Sequence, residues 1–189
     1  DGRAGLTLDP TIEPTAQPRT YVVEATVTGA DDQTVTSTRR VHAIPAFALG
    51  LKLPRYIEPS ADGKRIKGAV IAVDKDGAPK AGQSLTVVLK HRQWHAHLKA
   101  ANFSEGEAKY VTDTVDVEVK RLQLTSTVQP LPLDLPVPRA GVYIVEVQSQ
   151  DRLGRAQVVT QDLYVGGDDP VSWPKPKNKT FVVTPDKTR

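Results

Sequence analysis

Two extended segments joined by a polar turn dominate residues 139–167. Successive side chains of a strand point to opposite faces, so every second residue of the first segment faces the same way. A polar run at 148–155 has the composition of a turn, and a second extended segment follows at 157–165. This pattern predicts a β-hairpin that closes a β-sandwich. The inward-facing residues predicted for its first strand are Tyr143, Val145 and Val147.

The same pattern occurs earlier in the chain. Tyr21-Val22-Val23-Glu24 precedes Tyr143-Ile144-Val145-Glu146 by 122 residues, and a polar turn and a further strand follow each of them. That offset is close to the size of one domain. The repeat predicts a piece of a tandem array that is cut across its repeating unit.

The composition favours short strands and turns. The 189 residues are 39% hydrophobic, contain 15 prolines and 13 glycines, and carry Val and Thr in their apolar runs. Apolar residues at helical spacing are hard to find, so the fold class is all-β. The absence of cysteine excludes a disulfide scaffold, a cysteine nucleophile, a cysteine-bound zinc and a cysteine thioester within this chain.

Charge and aromatic content argue against a nucleic-acid partner. The net charge of +3 is a small difference between 25 basic and 22 acidic residues, and the two signs are interspersed. Aromatic residues make up only 5% of the chain, which leaves few rings for stacking on bases. No apolar run approaches the ~20 residues that a membrane-spanning helix needs.

The strand pattern predicts one complete domain between two partial ones. Residues 1–45 are interpreted as the C-terminal part of a domain, and residues 168–189 as a linker and the first strand of the next domain. Residues 46–167 are expected to form a complete, seven-stranded, Ig-like antiparallel sandwich. Within it, Asp76-Gly77 is a hairpin signal that predicts pairing of a strand at 66–74 with one at 84–93.

Three histidines in the segment KHRQWHAH form the most chemically suggestive cluster. His91, His95 and His97 share one face of an extended chain, and the latter two are close enough to share a metal. No acidic residue follows at ligand spacing, and Trp94 is expected to pack on the opposite face. The pattern therefore favours a solvated strand end, and we predict no metal, cofactor or catalytic residues.

Other short motifs have plain explanations. Asp74-Lys75-Asp76-Gly77 resembles the start of a calcium loop, but Gln83 occupies the position of the bidentate glutamate, which favours a simple turn. Two glycosylation sequons, at 102–104 and 178–180, are short enough to occur by chance. No serine lies in a nucleophile elbow. Tyr21 and Tyr143 are expected to anchor strand starts through a buried ring and a bonded hydroxyl.

Taken in order, these segments resemble bacterial alpha-2-macroglobulins. The resemblance rests on YVVEATVTGADDQTVTSTRRVHAIPAFALGL, GAVIAVDKDGAPKAGQSLTVVL, AGVYIVEVQSQDRLGRAQVVTQDLYVGG, VSW and FVVTPDK, and it covers nearly the whole chain. More specifically, the chain resembles the macroglobulin-like domains that precede the bait-region domain. It implies that all three predicted segments belong to macroglobulin-like domains.

The resemblance also implies a function for the parent protein. Such a protein would trap endopeptidases after they cut a bait segment, and a thioester would couple to them, although this chain has no cysteine for one. The chain itself would be a scaffold segment and not an enzyme.

Its expected partners are other domains of the parent, target proteases through the whole parent, and other envelope proteins. The implied location is the periplasm or cell envelope, with an inner-membrane anchor upstream. The alternative is an Ig-like repeat of a bacterial surface adhesin or stalk.

Overall fold

The computed structural model describes residues 3–58, 64–102, 107–171 and 173–174. Over these ranges the protein is built from strands, with one 3-10 helical turn at Pro10–Ile12, which confirms the all-β prediction. No helix in the described ranges is long and apolar enough to span a membrane. The strands are β1 (Arg19–Thr28), β2 (Thr34–Ala43), β3 (Phe47–Lys52), β4 (Tyr56–Ile57), β5 (Arg65–Asp74), β6 (Ser84–Asn102), β7 (Glu107–Thr125), β8 (Leu131–Pro136), β9 (Gly141–Gln150) and β10 (Ala156–Val165).

Strands β3 to β10 form a two-layered sandwich. One sheet has the order β4-β10-β9-β6-β7 and the other has the order β3-β5-β8. The described part of residues 47–165 holds eight strands where the sequence predicts seven. The additional strand is the two-residue β4, which pairs in parallel with the end of β10 and is too short to show a pattern. Prolines 132 and 136 lie in β8, an edge strand, as the missing proline N–H requires.

The inner faces of the two sheets form one apolar core. Burying large aliphatic and aromatic side chains provides the main driving force for folding, at about 25 cal/mol per Å² of apolar surface. Apolar residues of both sheets alternate with outward-facing polar ones along the strands, as in other sandwiches. The largest fully buried side chains are Tyr143, Ile66, Leu85, Leu89, Leu135, Val70, Val87, Val88, Val145, Val147 and Val165.

The closing hairpin is confirmed in detail. Strands β9 and β10 pair antiparallel from Gly141↔Val165 to Gln150↔Ala156. In the turn between them, the Asp151 carboxylate accepts hydrogen bonds from two backbone N–H groups and from the Arg155 side chain. Gly154 adopts φ 73°, a left-handed conformation that glycine reaches without strain. The turn residues therefore fix the register that buries the Tyr143 face.

The predicted pairing of residues 66–74 with 84–93 is wrong. Asp76-Gly77 does form a tight turn, with Gly77 at φ 83°, but the chain folds back only to an isolated bridge between Val73 and Pro79. It then crosses to the other sheet, where β6 pairs with β7 and β9. Gly82 and Gln83 bind Ser126 at this crossing. Proline 79 has no N–H to continue a ladder, and the turn signal reports only local geometry.

Strands β6 and β7 are much longer than their neighbours. They pair with each other from Ser84↔Thr125 to Asn102↔Glu107, whereas the pairing of β6 with β9 ends at Arg92. Residues 93–102 and 107–115 therefore continue past β9 as a two-stranded extension, here called the arm. The sequence prediction ended β6 at residue 93, because no core face continues beyond that point.

The first two strands form a separate ribbon. β1 and β2 pair antiparallel with each other from Arg19↔Ala43 to Thr28↔Thr34 and make their own two-stranded sheet. Cross-strand partners share a face, so one face of this N-terminal ribbon collects apolar residues. Most of them are solvent-exposed, because no second sheet in the described structure covers that face. The apolar residues of this face are Tyr21, Val23, Ala25, Val27, Val35, Val41 and Ala43.

Candidate functional site

The three histidines lie on one face of β6 but in different environments. His91 is buried at the edge of the core, where its ring centroid is 4.8 Å from that of Tyr143. His95 and His97 lie exposed on the arm, and His97 Nδ1 is 3.6 Å from an Asp113 carboxylate oxygen. Within the described ranges, no three His, Cys, Asp or Glu side chains are grouped as metal ligands.

His91 has a structural environment. Burial lowers the pKa of its imidazole, and the nearby Arg139 guanidinium lowers it further. Gly141 lies against the ring at φ 140°, and a Cβ at that position would be 2.6 Å from His91 Nε2. The neutral imidazole therefore packs between Tyr143 and the start of β9.

The segment that resembles a calcium loop forms a hydrogen-bonded turn. Asp74 Oδ1 accepts hydrogen bonds from the backbone N–H groups of Asp76 and Ala78, each at 2.9 Å. The Lys75 ammonium donates to the Asp76 carboxylate. These carboxylates are thus engaged by donors of the turn itself, in the manner of an Asx turn.

The two tyrosines of the repeat are anchored to different degrees. Tyr143 is fully buried and its hydroxyl donates to the Arg139 carbonyl at 2.9 Å, as expected for a tyrosine corner. Tyr21 is only half-buried, and its hydroxyl donates to a Glu13 carboxylate oxygen at 3.0 Å. Hydrogen bonds from Arg19, and then from Tyr21, lower the pKa of the Glu13 carboxyl.

The incoming connection is fastened at the start of β10. Ala16 is buried, and its N–H donates to the Ala156 carbonyl at 2.9 Å. The Gln157 amide donates to the carbonyl of Ala16 at 3.1 Å and to that of Phe47 at 2.8 Å. One buried side chain therefore bonds the segment before the ribbon and the segment after it. We call these four residues the entrance junction.

The outgoing connection is fastened at the end of β10. One oxygen of the Asp169 carboxylate accepts from the Lys64 ammonium at 2.5 Å and from the Ala140 N–H at 2.7 Å. The bond from Lys64, and next that from Ala140, lower the pKa of the Asp169 carboxyl. We call these three residues the exit junction, because they tie the chain after β10 to the starts of β5 and β9.

An aromatic stack holds the same outgoing segment. Trp173 lies between Tyr164 and Trp94, with ring centroids 5.6 Å and 5.7 Å away, and Tyr56 stacks on Tyr164 at 5.6 Å. Aromatic pairs at such distances contribute about 0.5–1.5 kcal/mol beyond the area that they bury. Trp94 faces away from the histidines, as the alternation of β6 predicts.

The two junctions lie at opposite ends of one strand. β10 has ten residues, so about 30 Å separates its ends at the rise of an extended chain. This strand is hydrogen-bonded to β9 along its length and packs on the core through Leu163 and Val165. The arrangement is suited to holding two connecting segments at a fixed separation.

Most of the sandwich matches a known protein family. Residues 50–166 match the family described as bacterial macroglobulin domain 6. The chain belongs to this family. The resemblance to bacterial alpha-2-macroglobulins is thereby confirmed.

Comparisons with individual proteins agree with the macroglobulin assignment. An alpha-2-macroglobulin homolog from Nostoc sp. is 25% identical over 160 residues, which are 82% of this chain and 8% of that protein. The native conformation of E. coli alpha-2-macroglobulin superposes with a TM-score of 0.55 at 15% identity, over 89% of this chain and 11% of that one.

A third comparison gives the same fold. Salmonella alpha-2-macroglobulin reacted with methylamine superposes with a TM-score of 0.50 at 17% identity, over 79% of this chain and 10% of that one. The present chain therefore spans about a tenth of the length of the relatives that it matches. It is a macroglobulin domain with flanking segments, and the relatives are far larger proteins.

Neither junction of the macroglobulin domain could be predicted from the sequence. Gln157 reads as an ordinary polar strand residue, and Asp169 reads as one of two acidic residues in a linker. Trp173 carries the one usable signal, because a large aromatic residue in a proline-rich linker favours a packed position over a solvated one. The residues 175–179 of the linker, the strand predicted at 180–187 and the second sequon lie outside the described residues.

Proposed function

We propose that this chain is a scaffold segment of an alpha-2-macroglobulin-like protease inhibitor. The whole inhibitor would trap endopeptidases after they cut its bait segment, and this segment would have neither catalytic nor inhibitory activity of its own. The observation that carries the proposal is the fastening of both connecting segments to opposite ends of β10. The kind of parent protein is inferred from the membership of the chain in the macroglobulin family.

Rigidity is the physical property that a scaffold requires. A sandwich with a continuous apolar core does not deform gradually, because its interior is close-packed. Gln157 fixes where the chain enters and Asp169 fixes where it leaves, so a displacement of one neighbouring domain is passed to the other. In the proposed parent, such segments hold the bait-containing parts apart until cleavage.

We also propose three divisions of the chain. Residues 1–45 would be the C-terminal part of one macroglobulin-like domain, 46–167 a complete domain, and 168–189 a linker and the first strand of a third. The exposed apolar face of the N-terminal ribbon supports the first division. Val27 and Val35 are 67% and 71% exposed on that face, which a missing sheet of the same domain would cover.

The proposal includes partners and a location. The direct partners would be the other domains of the parent chain, and target proteases would be met only through the whole parent. The location would be the periplasm or cell envelope. These statements concern the parent protein and not any contact of this chain. Their support is the membership of the chain in the macroglobulin family.

The test is to mix the purified 189-residue chain with a broad-specificity protease. We expect no stoichiometric complex on size-exclusion chromatography and no adduct that survives denaturing electrophoresis. A catalytically inactive form of the same protease serves as the control for cleavage of the chain itself. A one-to-one trapped or covalent complex formed by this chain alone would refute the scaffold assignment, as would peptidase or esterase turnover.

A further inference from the structure

A polar cavity lies between β6, the turn before β9 and the outgoing segment. Its volume is about 250 Å³, and Ala140 of the exit junction is among the residues that line it. It is at the point where β6 leaves the sheet to form the arm. The residues that line it include His91, Gln93, Trp94, His95, Arg139 and Val171.

Arg92 and Arg139 both line this cavity, and they differ in their partners. The Asp116 carboxylate is engaged by Arg92 through two hydrogen bonds of 2.8 and 2.9 Å, and the Asp169 carboxylate is engaged by Lys64. Arg139 is exposed, and its guanidinium has no hydrogen-bond or ion-pair partner among the described residues. The Asp169 carboxylate lies within electrostatic range of Arg139, but its hydrogen bonds go to Lys64 and to the Ala140 N–H.

Two side chains of the lining offer hydrogen-bond donors. A guanidinium has five N–H groups in a planar fork and accepts nothing, and Gln93 adds an amide group whose Nε2 is 3.5 Å from His91 Nδ1. His91 also lines the cavity, and the pKa of its imidazole is lowered by burial and further by the Arg139 guanidinium. Trp94 and Val171 of the outgoing segment also line the cavity.

We propose that this cavity binds a small oxyanion, a carboxylate or a phosphate group, through Arg139. The planar fork matches two oxygens of either group. Gln93 and His95 would provide further donors at the cavity wall. The oxyanion can come from a free anion or from an acidic side chain of an adjoining domain, and the chemistry of recognition is the same.

The experiment is a titration of the isotopically labelled 189-residue chain, followed by NMR at constant ionic strength. Inorganic phosphate and acetate are added in separate series, and the side-chain signals of Arg139 and His95 are observed. We expect saturable shifts. Arg139→Gln should weaken binding about tenfold or more, the usual cost of losing a charged hydrogen bond.

Two variants keep the result interpretable. Arg152→Gln removes an equally exposed charge from the β9–β10 turn and should leave binding unchanged, while Arg139→Lys keeps the charge without the fork and should give an intermediate affinity. Tighter binding of acetate assigns the site to a carboxylate side chain, and tighter binding of phosphate assigns it to a free phosphate. Shifts that do not saturate, or equal binding by Arg139→Gln, would overturn the proposal.

Discussion

The sandwich and the N-terminal ribbon carry the same sequence pattern with different results. Tyr143, Val145 and Val147 are fully buried in β9, whereas Tyr21 and Val23 in β1 are only half-buried. Both strands have an antiparallel partner, so pairing is not the difference. The difference is the second sheet, because β3, β5 and β8 cover the face of β9 and no second sheet in the described structure covers the face of the ribbon.

Alternation of apolar residues therefore identifies one face of a strand but not whether that face is buried. A two-stranded hairpin is at best marginally stable in water, since it orders its backbone without enclosing apolar surface. The ribbon has cross-strand contacts such as the Thr26–Thr36 hydroxyl bond, which contribute a fraction of a kcal/mol to about 1 kcal/mol each. We therefore expect the free energy of unfolding of the chain to come from the sandwich.

The largest expected effect is that of removing a core side chain. Leu85→Ala deletes a fully buried side chain in β6 and should lower the free energy of unfolding by about 2–5 kcal/mol, because it leaves a cavity. Val27→Ala in the ribbon is the matched control and should change it by less than about 0.5 kcal/mol. Urea denaturation measures both. Comparable costs in the two variants would mean that the ribbon has a packed core.

The next effect concerns Gly141, at the start of β9. Gly141→Ala should destabilise the fold by about 1–3 kcal/mol, because its φ of 140° is strained for alanine and the new Cβ would meet His91. Gly154→Ala has the strain of φ 73° but open space around the Cβ, so it should cost less. Thermal unfolding of the two variants compares them. An equal loss would show that the contact with His91 has no energetic consequence.

A smaller effect is the pH dependence due to His91. Its folded pKa lies below the unfolded value, so the unfolded state binds more protons as the pH falls through about 6.5. Stability from this residue is therefore complete at higher pH and is lost on acidification toward the folded pKa. His91→Gln should flatten the slope of unfolding free energy between about pH 7 and pH 5. An unchanged slope would contradict the buried, neutral imidazole.

The smallest effect on stability is expected from Trp173, which lies outside the sandwich core. The chain has two tryptophans, Trp94 and Trp173, and their rings are stacked. The two rings should couple in the near-ultraviolet circular dichroism spectrum, and Trp173→Ala removes one of them. We expect the coupled signal to disappear with little change in the thermal midpoint. Trp94→Ala should remove the same signal. A spectrum that either variant leaves unchanged would mean that the outgoing segment does not pack on the arm.

Much of the fold could be predicted from the sequence because strands show a local pattern of alternating apolar and polar residues. Alternation at Tyr143 and the turn residues Asp151 and Gly154 specify the closing hairpin locally. The pairing of β5 was predicted wrongly, since a turn signal at Asp76-Gly77 says how the chain bends and not which sheet it joins. The length of β6 was also missed, because the arm has no core-facing pattern.

The candidate site was less predictable. His91, His95 and His97 were correctly placed on one strand face, but burial separates the first from the other two, and that depends on where β9 begins. Asp169 and Lys64 are 105 residues apart, so their contact follows only from the finished sandwich. The same holds for Gln157 and its bonds to Ala16 and Phe47.

Amide hydrogen exchange of the intact 189-residue chain tests the central claim most directly. The claim is that the sandwich is a self-supporting rigid unit and that the ribbon depends on a neighbour. We predict slow, cooperative exchange for the central parts of β6, β9 and β10, and exchange faster by several orders of magnitude throughout β1 and β2. Protection of the ribbon equal to that of β9, or fast exchange in the sandwich itself, would contradict the account.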